Sequence, residues 1–355
     1  MLFKKKQRKA SPIPSFVESE KEILDRTVEQ EFIAQRVRFS RDKQDLSCAR
    51  FLFFRYDSHL PIFGGHVNYG DYIQTIATKL AVERVVKSRF DFDFVDRDSL
   101  FYYWPSEDKS SVCACVMQGW FSHTLNFFPN ESVYPIWVGT HFDRIVYRCI
   151  EYALAINPFF FRDEVGCRDL STMNFLSSLG VKSYFSRCLT LTLPRRNLEK
   201  GEGGKVYFVD IPDAIVKLFP QRIRERSVER KQRWCFVGNE CWKKTYERAQ
   251  EKLNDIQQAS LVITSALHCA APCVAMGIPV ILVSLDPLEN INRFSALSGI
   301  LKTVTVKEII DKQISYDIFV PDIEDLKMAM LENISLVIKR SMMGGCFEWR
   351  AKGFA

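Results

Sequence analysis

The succession of short apolar runs and helix-period stretches in the second half of the chain leaves few folds open. Lys205 to Ile211 reads as a buried strand, and Phe236-Val237-Gly238 as a second, shorter one. Tyr246, Ala249, Leu253 and Ile256 then recur at the spacing of an amphipathic helix. Leu261 to Thr264 is strand-like again, a helix starts near Ser265, and Pro279 to Ser284 is the next strand. Strand and helix alternating in this way predict a parallel sheet with crossover helices.

The first half repeats the theme. Arg50 to Tyr56 is a Phe- and Leu-rich strand, and Cys113 to Met117 and Val133 to Val138 are further strands. Ile145 to Ile156 is helical. Val165 to Asp169 leads into a short helix that ends at Gly180, a residue suited to a helix C-terminus. Cys188 to Pro194 alternates Leu189, Leu191 and Leu193 with Thr190 and Thr192, which predicts a half-buried strand. Residues 195–204 are charged and glycine-rich, as a linker would be. The expected organisation is a basic, largely disordered tail over 1–45, α/β domains over 46–200 and 201–325, and a final helix and tail over 326–355. Two α/β halves of this kind face each other across a cleft, where ligands bind.

A chain of 355 residues is long for one core and suits two domains. No run of eighteen apolar residues is present, so no membrane-spanning helix is expected. The longest apolar-rich stretch, Ala270 to Leu285, is broken by Pro272, Gly277 and Pro279. No apolar signal segment follows the basic start of the chain, so a cytosolic protein is expected. Of the net charge of +6, five positive charges sit at Lys4, Lys5, Lys6, Arg8 and Lys9. That tail either keeps the protein soluble or touches the anionic inner face of a membrane; nucleic acid is the less expected partner. The eleven cysteines include no C-x-x-C pair, so they read as buried thiols and no metal site is expected.

Four segments could carry chemistry. In Asn68-Tyr69-Gly70-Asp71 a glycine turn meets a helix start, with Asp71 at the cap position and Gln74 three residues on. Asp71 is either that cap or a group that handles substrate. In Gly166-Cys167-Arg168-Asp169 a helix follows directly, so Arg168 and the helix end suit a phosphate or carboxylate. Asp169 would cap that helix. In Thr264-Ser265-Ala266-Leu267-His268 a strand ends, Ser265 can cap, and His268 lies in the first helical turn. Pro272, farther along that helix, predicts a kink. Asn292-Arg293-Phe294 could bring Arg293 to the cleft.

Together these segments resemble the polysaccharide pyruvyl transferase family. Asn68 to Asp71 is similar to its Asn-x-Gly-Asp motif, and Gln118-Gly119-Trp120-Phe121 to a segment that ends an early strand. Val165 to Thr172 resembles its Gly-Cys-Arg-Asp-x-x-Thr motif. Cys188 to Leu193 resembles a run of one bacterial branch, and Thr264 to Pro279 its Thr-Ser-Arg-Leu-His segment with the closing Gly-x-Pro. The resemblance implies two Rossmann-like domains facing a cleft, in a GT-B-like arrangement. It implies a transferase of bacterial exopolysaccharide biosynthesis that moves pyruvate from phosphoenolpyruvate to two sugar hydroxyls as a ketal. The donor is a substrate, and no cofactor is implied; the acceptor is a sugar or glycan, with a lipid-linked one left open. Arg168 would clamp the donor anion with Asp169, Thr264 and Ser265 beside it. His268 would donate a proton or bind phosphate. Asp71 would act on the sugar hydroxyls, with Asn68 and Gly70 on the acceptor side.

One position departs from the pattern. Ala266 stands where the family has arginine, which removes a charge-assisted hydrogen bond worth about 1.5–3 kcal/mol. Arg187, at a position usually small in that branch, or Arg293 could reach the vacated space. A nucleotide-sugar glycosyltransferase on the same scaffold, or a glycan-binding member without turnover, therefore also stays open.

Overall fold

The computed structural model describes Gln30, Glu31, Ile33, Ala34 and residues 48–342, apart from 57–65, 88, 106–111, 123, 162, 198–203, 231–232, 236–240 and 287–292. The basic residues at 4–9, the core of the expected linker and the expected strand at 236–238 lie outside the described residues.

Among the described residues, fifteen strands fall into three parallel groups, two of which run on from one another, and one small ribbon. In the first half, β1 (Cys48–Arg55), β3 (Asp91–Asp96), β4 (Val112–Val116) and β6 (Val133–Ile136) lie in the order β3-β1-β4-β6. A second group, β5 (Gly119–Phe121), β7 (Thr140–Phe142), β8 (Val165–Cys167) and β9 (Ser183–Phe185), lies in the order β5-β7-β8-β9. The two groups share one surface. β5 continues β4 beyond Met117 and Gln118, and β7 continues β6 beyond residues 137–139. Across the break, Met117 N–H donates to the Ile136 carbonyl and Gly166 N–H to the Trp137 carbonyl, both at 2.8 Å.

By chain succession, the combined strands lie in the order 2-1-3-4-5-6. The second half has β10 (Val206–Val209), β11 (Ser227–Arg230), β13 (Leu261–Thr264), β14 (Val280–Ser284) and β15 (Thr303–Thr305), all parallel, in the order 2-1-3-4-5. Both sheets are thus Rossmann-like and doubly wound. Each has a switch point, between β1 and β4 and between β10 and β13, where such folds bind ligands. The short β2 (His66–Asn68) and β12 (Arg233–Cys235) pair antiparallel and tie one half to the other.

Burial explains the strand composition. Phe51, Leu52, Phe53 and Phe54 of β1 are all buried, because helices cover both faces of a parallel sheet. Helix α1 (Tyr69–Val86) lies between the halves and packs on helices α4 (Trp242–Gln257), α5 (Leu267–Met276) and α6 (Glu324–Met342). Its inward polar residues Thr75 and Thr78 are consequently buried and satisfied: Thr75 donates to the Phe54 carbonyl and Thr78 to the Gln74 carbonyl, each at 2.8 Å. Helix α2 (Tyr147–Ile156) and helix α3 (Leu170–Ser178) flank the first sheet. Pro272 lies inside α5, which runs on through it to Met276.

One expected strand is absent. Leu189–Thr192 is a 3-10 turn, and its leucines and threonines are equally buried. Helices α1, α5 and α6 surround it, so no neighbouring strand is available to pair. Thr192 donates to the Leu189 carbonyl instead. The final helix α6 returns to the first half, where Asn333 Nδ2 donates to the Tyr184 hydroxyl at 2.8 Å. Among the described residues no helix is long and apolar enough to cross a membrane.

Candidate active site

Asn68 ends β2 in an extended conformation, and its Oδ1 accepts from Gly70 N–H at 2.9 Å. Asn68 is therefore the N-cap of α1, not Asp71 as the sequence suggests. The helix starts three residues early because the amide side chain captures its first free donor. Asp71 is displaced into the first turn, half-buried, where Gln74 Nε2 donates to its Oδ1 at 3.1 Å. Burial raises the pKa of Asp71, although Arg97, Arg168 and Arg293 pull it down. Gln74 itself is fully buried and acts as a bridge. Its Oε1 accepts from Arg168 Nη1 at 3.4 Å, and its carbonyl accepts from Gln118 Nε2, at the first switch point, at 3.4 Å.

Arg168 and Asp169 occupy the turn from β8 into α3. Asp169 Oδ1 accepts from Thr172 N–H at 3.0 Å and from the Ser171 hydroxyl at 2.7 Å, which makes it the expected N-cap. Its Oδ2 pairs with His141 Nδ1 and lies 3.6 Å from Arg168 Nε. Burial alone would raise this carboxyl's pKa. The charges of His141 and Arg168 and the Thr172 N–H outweigh it and hold the group far below the usual carboxylate range. Arg168 is 3% exposed, and its Nη1 stands 3.5 Å from His268 Nε2.

His268 comes from the second switch point. Thr264 Oγ1 accepts from Ala266 N–H at 3.0 Å, and α5 begins at Leu267 with Ala266 as its cap residue. Ser265 does not cap the helix, because its hydroxyl donates to the Asp210 carbonyl at 2.6 Å. A guanidinium can only donate, so the Arg168 contact makes His268 Nε2 the acceptor and places the proton on Nδ1. Burial first, then Arg168, Arg293 and His141, hold the His268 pKa well below 6.5. The imidazole is thus neutral near pH 7, and a bound anion would raise its proton affinity.

Gly70 permits this meeting. A β-carbon there would lie 3.0 Å from Asn68 Oδ1, 3.0 Å from His268 Cβ and 3.2 Å from His268 Nδ1. Alanine would favour the helix by about 1 kcal/mol, but it would push His268 away from Arg168. A displacement near 1 Å in such a site costs about 100-fold in rate. Gly70→Ala is therefore expected to keep its melting temperature within a few degrees while losing at least about tenfold in turnover. Thermal unfolding and steady-state kinetics of one preparation check both halves of that result.

The two arginines weighed against Ala266 differ. Arg187 is buried in the left-handed region (φ +60°), which explains why a small residue suits the position. Its Nη1 donates to the Ala296 carbonyl at 2.8 Å, and its guanidinium lies 4.6 Å from the Phe185 ring centre. Arg293 is exposed at the head of the 3-10 turn Phe294–Leu297, and its charge acts on both Asp71 and His268. Leu170 N–H donates to Ser295 Oγ at 3.1 Å, which ties this turn to the start of α3.

Two further residues join the site that the sequence pattern does not single out. Buried Arg97 grips Asp98 at 3.1 and 2.7 Å, lies 5.0 Å from the Tyr56 ring centre and acts on Asp71. No local signal marks it. His141 follows the strand at Val133 to Val138 through Gly139 and Thr140, the same strand–glycine–polar pattern that marks the other segments. The assembled site holds the starts of α1, α3 and α5, several arginines, a neutral imidazole and a carboxyl of raised pKa. Such a site can bind a small multiply charged anion and move a proton beside it.

A family model described as "Polysaccharide pyruvyl transferase" matches residues 68–287, a span that takes in Asn68, Arg168 and His268 and ends before Arg293. Among curated proteins nothing matches. A solved structure described as a putative UDP-N-acetylglucosamine 2-epimerase from Listeria monocytogenes is similar over 87% of this chain and 100% of its own. Its identity is 10% and the TM-score 0.41, a likeness too slight to carry an argument.

Proposed function

The chain belongs to the polysaccharide pyruvyl transferase family, and on that premise we propose that it transfers pyruvate from phosphoenolpyruvate to two hydroxyls of a sugar in a bacterial surface polysaccharide, closing a ketal. The observation that supports this donor is the contact of Arg168 with His268 and, through Gln74, with Asp71. Phosphoenolpyruvate carries a phosphate and a carboxylate. The Arg168 fork and the starts of α3 and α5 suit one of these groups. Arg293 supplies part of the charge that Ala266 lacks.

The overall exchange fixes what the residues must do. Two hydroxyl oxygens form bonds to C2, the C2–O bond to phosphate breaks with its electron pair on phosphate, and C3 gains one proton. Two hydroxyl protons are released: one balances the proton taken by C3, and the other leaves on hydrogen phosphate. His268, made more basic by the bound anion, gives the proton to C3 and so favours an oxocarbenium-like centre at C2. Asp71, whose raised pKa brings it closer to neutrality, accepts a proton from a sugar hydroxyl. Asn68 and Gly70 shape the acceptor side of the same turn.

Thermal unfolding with saturating phosphoenolpyruvate, in parallel with a panel of nucleotide sugars, tests the donor. A ligand at 100 times its Kd stabilises by about 2.7 kcal/mol. Stabilisation by phosphoenolpyruvate, followed by phosphate release that depends on an added glycan, is the expected result. Stabilisation by a nucleotide sugar alone would make the protein a glycosyltransferase.

A further inference from the structure

Ketal formation releases protons from two hydroxyls, and Asp71 can accept only one of them. We infer that His141, oriented by Asp169, is the second proton acceptor, serving the hydroxyl that Asp71 does not. The inference rests on pyruvyl transfer as the reaction.

His141 is the central residue of strand β7, paired with Trp120 of β5 and close to Arg168. Its Nδ1 pairs with Asp169 Oδ2, and the Thr172 hydroxyl lies 3.3 Å from the same nitrogen. Asp169 is fully buried and ionised, so it only accepts, and the proton must sit on His141 Nδ1. The lone pair is then on Nε2. That nitrogen has no hydrogen-bond partner among the described residues and is not sealed from solvent. The His141 side chain is 16% exposed against 0% for Asp169, so the ring is largely buried but not closed off.

Capping α3 does not require the pair, because Asp169 Oδ1 already takes the Thr172 N–H. The second oxygen pairs with His141 and lies beside Arg168. Arg168 also stands between His268 and the His141–Asp169 pair, with Nη1 3.5 Å from His268 Nε2 and Nε 3.6 Å from Asp169 Oδ2. A donor held by Arg168 therefore has His268 on one side and His141 on the other. Beside His141, its ring centre 6.4 Å away, is Trp120, a half-buried indole whose Nε1 donates to Asp143. An indole face next to the base suits the apolar face of a sugar ring.

The charged groups around His141 are Arg168, Asp169 and Asp143, and the titratable His268 lies near as well. Burial and Arg168 lower its pKa below 6.5, with Asp169 opposing. The ring is therefore an unprotonated acceptor at neutral pH. In the proposed step the hydroxyl oxygen bonds to C2 as its proton passes to Nε2. That proton later leaves with phosphate or solvent, which restores the neutral ring.

The test uses His141→Asn in the full chain, because the asparagine amide can replace Nδ1–H toward Asp169 but offers nothing at Nε2. Phosphoenolpyruvate should stabilise the variant as it does the wild type. Ketal formation should fall about 100-fold or more. The part of the rise of kcat with pH below 6.5 that His141 carries should disappear, leaving the part due to Asp71, and free pyruvate should accompany phosphate as water captures the centre. His141→Ala should regain part of the rate with added imidazole. Turnover within threefold of wild type with an unchanged pH profile would overturn the inference. So would loss of phosphoenolpyruvate stabilisation in His141→Asn, which would make His141 a donor ligand. A wild type that neither binds phosphoenolpyruvate nor releases phosphate would overturn the proposed function itself, and this inference with it.

Discussion

Arg168→Ala is expected to abolish stabilisation by phosphoenolpyruvate and to lower turnover by about 100- to 1,000-fold, the usual effect of removing one preorganised donor at a reacting anion. Arg168 is enclosed and held from several sides: Thr140 accepts its backbone N–H at 2.8 Å, Gln74 accepts from its guanidinium, and Asp169 flanks it. Its orientation is thus fixed before any ligand arrives. A charge-assisted hydrogen bond is worth about 1.5–3 kcal/mol, and the fork geometry offers two of them to one anion. Removing the charge also relieves His268 of the largest neighbouring influence on its pKa. His268 should then titrate nearer 6.5, a shift that NMR of the imidazole would register. Arg168→Lys keeps the charge but not the fork, and should recover only part of the binding. Full stabilisation of Arg168→Ala by phosphoenolpyruvate would place the donor elsewhere and remove the main support for the proposed reaction.

Gly166→Ala is expected to be the costliest small substitution for stability, even though it touches no reacting group. A β-carbon at 166 would lie 2.8 Å from the Tyr184 hydroxyl, 2.9 Å from Tyr184 Cζ and 2.9 Å from Ser186 Cβ. Both neighbours are buried, on or just after β9, so neither can swing into solvent. Moving Tyr184 also strains its bond from Asn333, which anchors α6. Moving Ser186 disturbs the hydroxyl that accepts from Gly139 N–H at 3.0 Å, next to Gln118. Overpacking of about 1–3 kcal/mol and a strained buried hydrogen bond of about 1–3 kcal/mol give a destabilisation near 3 kcal/mol or more. For a chain of this size that is a fall of about 4 °C or more in Tm, which calorimetry measures directly. A melt within one or two degrees of wild type would mean that β8 and β9 separate at little cost. The glycine and the arginine of one motif thus have different tasks, strand packing for Gly166 and anion binding for Arg168.

Pattern alone reveals the elements whose period and punctuation agree. The strands at Arg50 to Tyr56 and Leu261 to Thr264 and the stripe of Tyr246, Ala249, Leu253 and Ile256 need no tertiary information. Leu189 to Thr192 misleads because alternation marks a half-buried strand only if a second strand is beside it. The start of α1 is ambiguous in the sequence because Asn68 and Asp71 are both good caps, and the choice between them follows from β2 pairing with β12 across the cleft. Ser265 has the chemistry of a cap, yet Asp210, distant in sequence, takes its hydroxyl. In the site, Arg168 and His268 stand out because each follows a strand and opens a helix. Arg97 is brought in by sheet order alone, which no local window contains, whereas His141 follows a strand and a glycine that a local window does show.

The path of the chain between the halves has a mechanical consequence. Arg196 N–H donates to the Met276 carbonyl at 3.0 Å, and Lys327 Nζ donates to the Ala275 carbonyl at 3.0 Å. Arg195 Nη1 lies 3.9 Å from Asp322 Oδ1. The outgoing and returning connections therefore run side by side against the C-terminal end of α5. A change in the angle between the halves that kept these contacts would turn about that line as its fulcrum. His268 sits at the opposite end of the same helix, roughly 12 Å from the fulcrum at 1.5 Å per residue. A swing of about 10° would carry its imidazole about 2 Å relative to Arg168. In such a turn helix α5 would act as a lever arm, and closing the protein on its substrates would also set the gap between its arginine and its histidine.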